Sequence, residues 1–391
     1  MMRYNFDQLV ERRGSDCAKW DVAAEGVLPL WVADMDFQTA PCIIEALRRR
    51  VEHGVFGYTL VPETFYERII WWNSHRHGWS IDRTWIQYTS GVVPAISAII
   101  KGLCQPGDGV LTFMPAYNCF FSSIRNNKCH LVDFPLTWSP ADERYTVDFN
   151  ALERTLAKER PSLFLLCNPH NPSGRVWTEE ELTRMASLCR EHGVIVLSDE
   201  IHCEFVNPDL GRPFLPFAPI AEKAGCQWVV TNAPNKAFNT AGLQISYIIC
   251  PDAAFRQRID RAINDNEVCD VNPFSFLALQ AAYTSEGEEW LRQLIAYIYD
   301  GYRQFRNTIK AACPQLPIAH LEGTYLAWVD TSSLPLTSQQ LADRLLTEQA
   351  LWLNPGELYG EPGFLRINLA TQHARLTEAT RRLLQFFSKT L

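Results

Sequence analysis

Short, nearly all-apolar runs recur through the middle of this chain, each ending in polar or turn-forming residues. They are Val110-Leu111-Thr112-Phe113, Leu163-Phe164-Leu165-Leu166-Cys167, Val194-Ile195-Val196-Leu197 and Val229-Val230-Thr231. Such a run has no polar face to turn toward water. Strands of this kind are covered on both sides, which predicts a mostly parallel sheet flanked by helices. Helical patterns at 148–158 and 179–192 alternate with the runs, and this alternation marks an α/β fold. Further strands are expected at 85–89, 131–134 and 245–250. Further helices are expected at 41–53, 62–77, from about 94 to 103, and at 252–266 and 273–284.

Beyond Thr284-Ser285-Glu286-Gly287 the pattern changes. A long helix at 288–311, strands at 326–330 and 364–369 and helices at 338–349 and 375–388 predict a smaller α+β domain. The expected division is a large domain over 47–284 and a small domain over 285–391, which the N-terminal segment 1–46 joins. That segment should open with a helix at 3–13. An extended apolar stretch at 28–37 follows, punctuated by Asp34 and Asp36.

At 391 residues, 47% hydrophobic and 20% charged, the chain suits two packed domains. The net charge of -8 and the absence of a basic stripe argue against a nucleic-acid partner. No stretch reaches eighteen apolar residues, so no membrane span is expected. The twelve cysteines form no C-x-x-C pair and read as reduced thiols of a cytoplasmic protein.

Ligands of open α/β sheets bind beyond the C-terminal ends of the strands. The polar residues there are Ser90, Tyr117, Asn171, Asp199 and Lys236. Lysines are scarce, eight against twenty-eight arginines, and Lys236 follows an apolar strand at a turn. A lysine desolvated there has a lowered pKa and can bond covalently to a carbonyl cofactor. Gly91, between a strand and a helix, opens a plausible anion site, though without a full nucleotide fingerprint. A metal site is not expected, because His75 and His77 have no acidic or cysteine partners at ligand spacing. A lysine, a strand-end aspartate, a loop asparagine, a tyrosine and a glycine-led helix start are the parts that hold pyridoxal 5'-phosphate.

The chain closely resembles the MalY/PatB group of cystathionine β-lyases, or C-S lyases. That group lies within the class I/II aminotransferase superfamily of fold-type I pyridoxal-phosphate enzymes. The resemblance rests on Lys19-Trp20-Asp21, on Trp31-Val32-Ala33-Asp34-Met35-Asp36-Phe37 and on Asn168-Pro169-His170-Asn171-Pro172-Ser173-Gly174. It rests also on Ser198-Asp199-Glu200-Ile201-His202, on Lys236 with Phe238-Asn239, and on Arg366-Ile367-Asn368-Leu369-Ala370-Thr371. It implies Lys236 as Schiff-base lysine and proton shuttle, Asp199 at the pyridine nitrogen and Asn171 at the ring hydroxyl. Tyr117 would stack on the ring, and Gly91, Val92 and Val93 would cradle the phosphate. Tyr58 would reach the phosphate from the other subunit of a homodimer. Arg366 would bind the substrate carboxylate, Trp31 would line the mouth, and His202 stands where the lyase group has histidine.

The chain departs from the superfamily at Ala233, Asn235 and Gln244, where serine, serine and a phosphate-binding arginine are frequent. Thr231, Asn232 and Asn235 are the candidate replacements. The implied reaction is β-elimination from L-cystathionine or another L-cysteine S-conjugate. Transamination is the first alternative, and a non-catalytic regulator that keeps the fold is the second.

Overall fold

The computed structural model describes residues 3–265 and 271–390; residue 266, the last of the helix expected at 252–266, lies outside them. The central sheet has seven strands. They are β1 (Ile86–Thr89), β2 (Gly109–Met114), β3 (His130–Pro135), β4 (Leu163–Cys167), β5 (Ile195–Asp199), β6 (Trp228–Asn232) and β7 (Ser246–Ile249). Across the sheet the order is β1-β7-β6-β5-β4-β2-β3. Strands β2 to β6 run parallel, with Cys167 opposite Asp199 and Asp199 opposite Thr231. Only β7 runs against its neighbours.

Alternation along the strands feeds two separate cores. In β4, Phe164 and Leu166 enter one apolar cluster, while Leu163, Leu165 and Cys167 enter the other. Each fully buried leucine or phenylalanine contributes roughly 1.5–3 kcal/mol. Helices Val92–Leu103 and Ala253–Asn264 pack together against one face, and Glu179–His192 with Phe217–Ala224 cover the other. Local chemistry sets their ends. Thr178 and Glu181 form a reciprocal cap ahead of Glu179–His192, whose acidic first turn and basic last turn match the helix dipole.

The C-terminal part carries the long helix Ser285–Ala312 and a second sheet. Its strands are β8 (Leu326–Asp330), β9 (Asn354–Pro355) and β10 (Phe364–Asn368), in the antiparallel order β8-β10-β9. The N-terminal segment joins this part: Leu28–Pro29 pairs with Leu351–Trp352, and Asn368 N–H donates to Leu30 O at 2.9 Å. On this pairing we propose the division into a large domain at 47–284 and a small domain built from 1–46 and 285–391.

Three expectations need correction. Residues 3–13 form turns and extended chain, not a helix. Their polar groups are drawn outward: Arg12 holds Asp34 and Asp36, and Arg13 donates to the Trp20 and Ala23 carbonyls. The long helix begins at Ser285 rather than 288, because Thr284 caps it by accepting the Gly287 N–H at 3.1 Å. Gly287 is there for space, since a Cβ would stand 2.0 Å from Ala282 O. His77 does gain acidic and thiol partners, Glu204 at 2.9 Å and Cys203 at 3.8 Å. Glu204 also accepts from Trp72 and Arg76, so the group works as a buried network around one carboxylate.

Candidate active site

Strands β2, β4, β5 and β6 end beside a cavity of about 380 Å³. Nine of the residues expected at a site line it: Trp31, Val92, Val93, Tyr117, Asn171, Asp199, His202, Lys236 and Arg366. Gly91 is the N-cap of the helix that Val92 begins. Tyr58 lies elsewhere, fully exposed.

Each residue arrives by a short local route. Lys236 follows β6 through Ala233-Pro234-Asn235, and its Nζ donates to Ala33 O at 2.6 Å. Burial, and then the Arg366 charge, lower its pKa to about 8. Asp199 is the last residue of β5, 4% exposed, and accepts the Ile201 N–H at 3.1 Å. Burial raises its pKa to about 7, which the Ile201 N–H and then Lys236 only partly oppose. The neighbouring Glu200 accepts from Ser198 Oγ and Phe217 N, both at 2.9 Å, which fixes the turn after β5.

His202 is 2% exposed, stands edge-on to Tyr325 and has no partner for Nδ1 among the described residues. Burial, then Lys236 and Arg366, hold its pKa well below the usual histidine range. Arg366, in β10, donates to Asn171 Oδ1 at 3.2 Å and to Trp31 O at 2.9 Å. Its guanidinium lies over the Tyr359 ring at 4.6 Å, and its Nε has no partner among the described residues. Tyr117 precedes helix Asn118–Asn126, and burial pushes its phenol up.

Residues 31–37 form a strap whose carbonyls are gripped from both sides. Trp31 O accepts from Asn354 and Arg366, and Val32 O and Asp34 O accept from Asn368. Ala33 O accepts from Lys236 and from Tyr325 at 3.1 Å. Met35 O and Phe37 O accept from Asn239. Beneath the strap, the fully buried Asp36 is held by Lys19 at 3.1 Å, Arg12 at 2.9 Å and Trp20 at 2.8 Å. This network gives Lys19, Trp20 and the aspartates of the strap a physical purpose, while Asp21 instead accepts the Gly14 and Cys17 N–H groups.

Sequence reasoning did not single out Tyr325, Asn354, Tyr359 or the Ala33 carbonyl. A backbone oxygen carries no residue signature, and Tyr325 reads as ordinary core at the start of β8. Of the three candidate replacements for the phosphate contacts, Asn235 alone lines the cavity. Thr231 is bonded to Tyr247 O, and Asn232 to Cys203 Sγ and Ala233 N.

The sequence pattern of the aminotransferase class I and II family matches residues 25–383. The chain is 38% identical over 386 residues to cystathionine beta-lyase PatB of Bacillus subtilis (strain 168), covering 97% of this chain and 98% of that one. It is 34% identical over 391 residues to protein MalY of Escherichia coli (strain K12), with the same coverage. It superposes with a TM-score of 0.93 on the crystal structure of cystalysin from Treponema denticola, which contains a pyridoxal 5'-phosphate cofactor. The two are 30% identical, and the match covers 99% of this chain and 100% of that one. With a parallel sheet, a strand-end aspartate and a turn lysine in one cavity, the chain belongs to the aminotransferase class I and II family and is related to its MalY/PatB-type C-S lyases.

Proposed function

We propose that the protein is a pyridoxal-phosphate-dependent lyase that cleaves the β-carbon–sulfur bond of L-cysteine S-conjugates. Thiol, pyruvate and ammonia are the products, and L-cystathionine belongs to the substrate class. The observation that carries this reading is Lys236, desolvated and facing Arg366, in the cavity that holds the buried Asp199.

The residues fit the cofactor. Helix Val92–Leu103 opens at the cavity with no side-chain cap among the described residues, which leaves the N–H groups of Val92 and Val93 to meet a phosphate, Pro94 having none. Asp199 is a desolvated carboxylate, which a protonated pyridine nitrogen would relieve of its burial cost. Asn171 and Tyr117 stand at the same cavity to hold the ring. When bound, pyridoxal phosphate supplies an electron sink for the charge left at the substrate α-carbon.

The chain's own residues do the rest. Arg366 takes the α-carboxylate through its planar fork, and Asn171 and Trp31 O hold that fork in place. Lys236, with its pKa near 8, is partly neutral close to neutral pH, and its Nζ accepts the α-proton. The same ammonium then stands ready to donate toward the departing sulfur. His202, held neutral, adds no competing charge.

A homodimer is part of the proposal. Tyr58 is fully exposed, with Val55, Phe56 and Leu60 exposed around it, and a second copy would cover them. A cytoplasmic setting is proposed on the cysteines: the eleven described are all free. Among the described residues no helix is long and apolar enough to cross a membrane.

The test incubates holoenzyme with L-cystathionine and no keto acid. Pyruvate and thiol in equal amounts over many turnovers are expected. A single turnover, restarted only by adding 2-oxoglutarate, would instead identify an aminotransferase.

A further inference from the structure

Away from the candidate active site, three metal-ligating side chains converge on one another. His77 ends helix Glu63–His77, and Cys203 and Glu204 lie in the turn that follows β5. His77 Nε2 stands 2.9 Å from Glu204 Oε1 and 3.8 Å from Cys203 Sγ, and Cys203 Sγ stands 3.6 Å from Glu204 Oε1. Nitrogen, sulfur and oxygen ligands of a tetrahedral zinc ion, bound at about 2.0–2.3 Å, lie about 3.3–3.6 Å from one another. Each side of the triangle is already within about half an ångström of that spacing.

The surroundings supply what such a site needs. All three side chains are buried. The outer partners that orient ligands are in place. Trp72 Nε1 donates to Glu204 Oε1 at 2.7 Å, and Asn232 Nδ2 donates to Cys203 Sγ at 3.2 Å. Arg76 donates at 3.0 Å to the other oxygen, Oε2, so its cation does not occupy the space between the three ligand atoms. The His77 ring packs edge-on against Phe214, which fixes its direction. A cavity of about 430 Å³ borders all three residues and gives an ion a path to them.

We propose that His77, Cys203 and Glu204 bind a zinc ion, with water as the fourth ligand. A thiolate and an imidazole suit zinc, whereas magnesium and calcium take oxygen ligands. Binding releases the Cys203 thiol proton to water and frees His77 Nε2 of the proton that it shares with Glu204. The ion ties helix Glu63–His77 to the turn that carries His202, and so stabilises the folded chain.

The experiment takes untagged, cofactor-loaded protein, strips it with a chelator and titrates it with Zn²⁺ or Co²⁺. One zinc per chain should survive desalting, and Co²⁺ should give sulfur-to-metal charge-transfer absorption beside tetrahedral d–d bands. Cys203→Ser, which keeps the shape of the side chain, should abolish the charge-transfer absorption and weaken zinc binding at least about tenfold. His77→Gln should weaken it likewise. Zinc should raise the Tm of the parent and leave that of Cys203→Ser unmoved. Pyridoxal phosphate and its pocket are common to both proteins, so the difference reports the thiol. Equal zinc retained by parent and Cys203→Ser, or a cobalt spectrum of the parent without the sulfur band, would overturn the site and leave the lyase reading standing. The cobalt spectrum needs only the parent protein, so an unstable variant does not spare the proposal.

Discussion

Asp199→Asn should make the cofactor-free protein more stable while it disables the enzyme. The carboxyl has an unfolded pKa of 3.8 and a folded pKa near 7, raised by burial. Between those values the folded state holds the proton that the unfolded state has lost. Stability therefore falls as pH rises from about 4 to 7, and the full penalty stands above pH 7. Three pKa units correspond to about 4 kcal/mol, of which about 2–3 kcal/mol accrues between pH 5 and pH 8. Asparagine does not titrate, so the variant escapes this loss. His202, whose pKa is depressed, contributes the opposite slope around pH 6.5, and Lys236 contributes above pH 8. The His202 contribution is shared by parent and variant, and Lys236 feels the Asp199 charge, so the difference between the two proteins reports Asp199 together with its interaction with Lys236. The assay is urea unfolding of both cofactor-free proteins at pH 5 and pH 8. A stability difference that does not grow with pH would refute the argument from burial. Adding pyridoxal phosphate should stabilise the parent far more than the variant, because only the parent has a carboxylate to gain a cationic partner.

Borohydride reduction of the holoprotein followed by peptide mapping should label Lys236 alone, and Lys236→Ala should show no repeated turnover. Arg366→Lys should raise KM about 10–100-fold, the loss of one charge-assisted hydrogen bond from a planar fork, seen in steady-state kinetics across several conjugates. Lys19→Met leaves the buried Asp36 with one cation fewer and should cost about 3 kcal/mol, read from the shift in unfolding midpoint. Tyr58→Phe should loosen cofactor binding in fluorescence titrations; sedimentation showing a fully active monomer would count against the shared site.

Much of the scaffold could be read in the sequence because local chemistry wrote it there. Helices Pro41–His53, Glu179–His192 and Ser338–Gln349 and strand Leu163–Cys167 have the bounds their periodicity and caps predict. The N-terminal segment did not, because Arg12 serves aspartates more than twenty residues away and Arg13 serves carbonyls beyond the segment, rather than a helix of their own. The pair Thr137–Ser139 and Arg144–Thr146 was missed as well, since three-residue strands carry too little pattern to register. Of the cavity, the strand-end residues could be placed by one rule of sheet topology. His77 found Glu204 and Cys203 across the fold, where spacing along the chain gives no warning. The strap's role rests on backbone oxygens, which look alike at every position.

Ala33 and Trp31 sit two residues apart on that strap, and their carbonyls hold the two cationic side chains of the cavity. Lys236 leans on one and Arg366 on the other. Asn354 holds the Trp31 carbonyl as well, and Tyr325 the Ala33 carbonyl, so each acceptor is fixed before a substrate arrives. One short run of backbone thus sets where the carboxylate anchor and the base stand relative to each other.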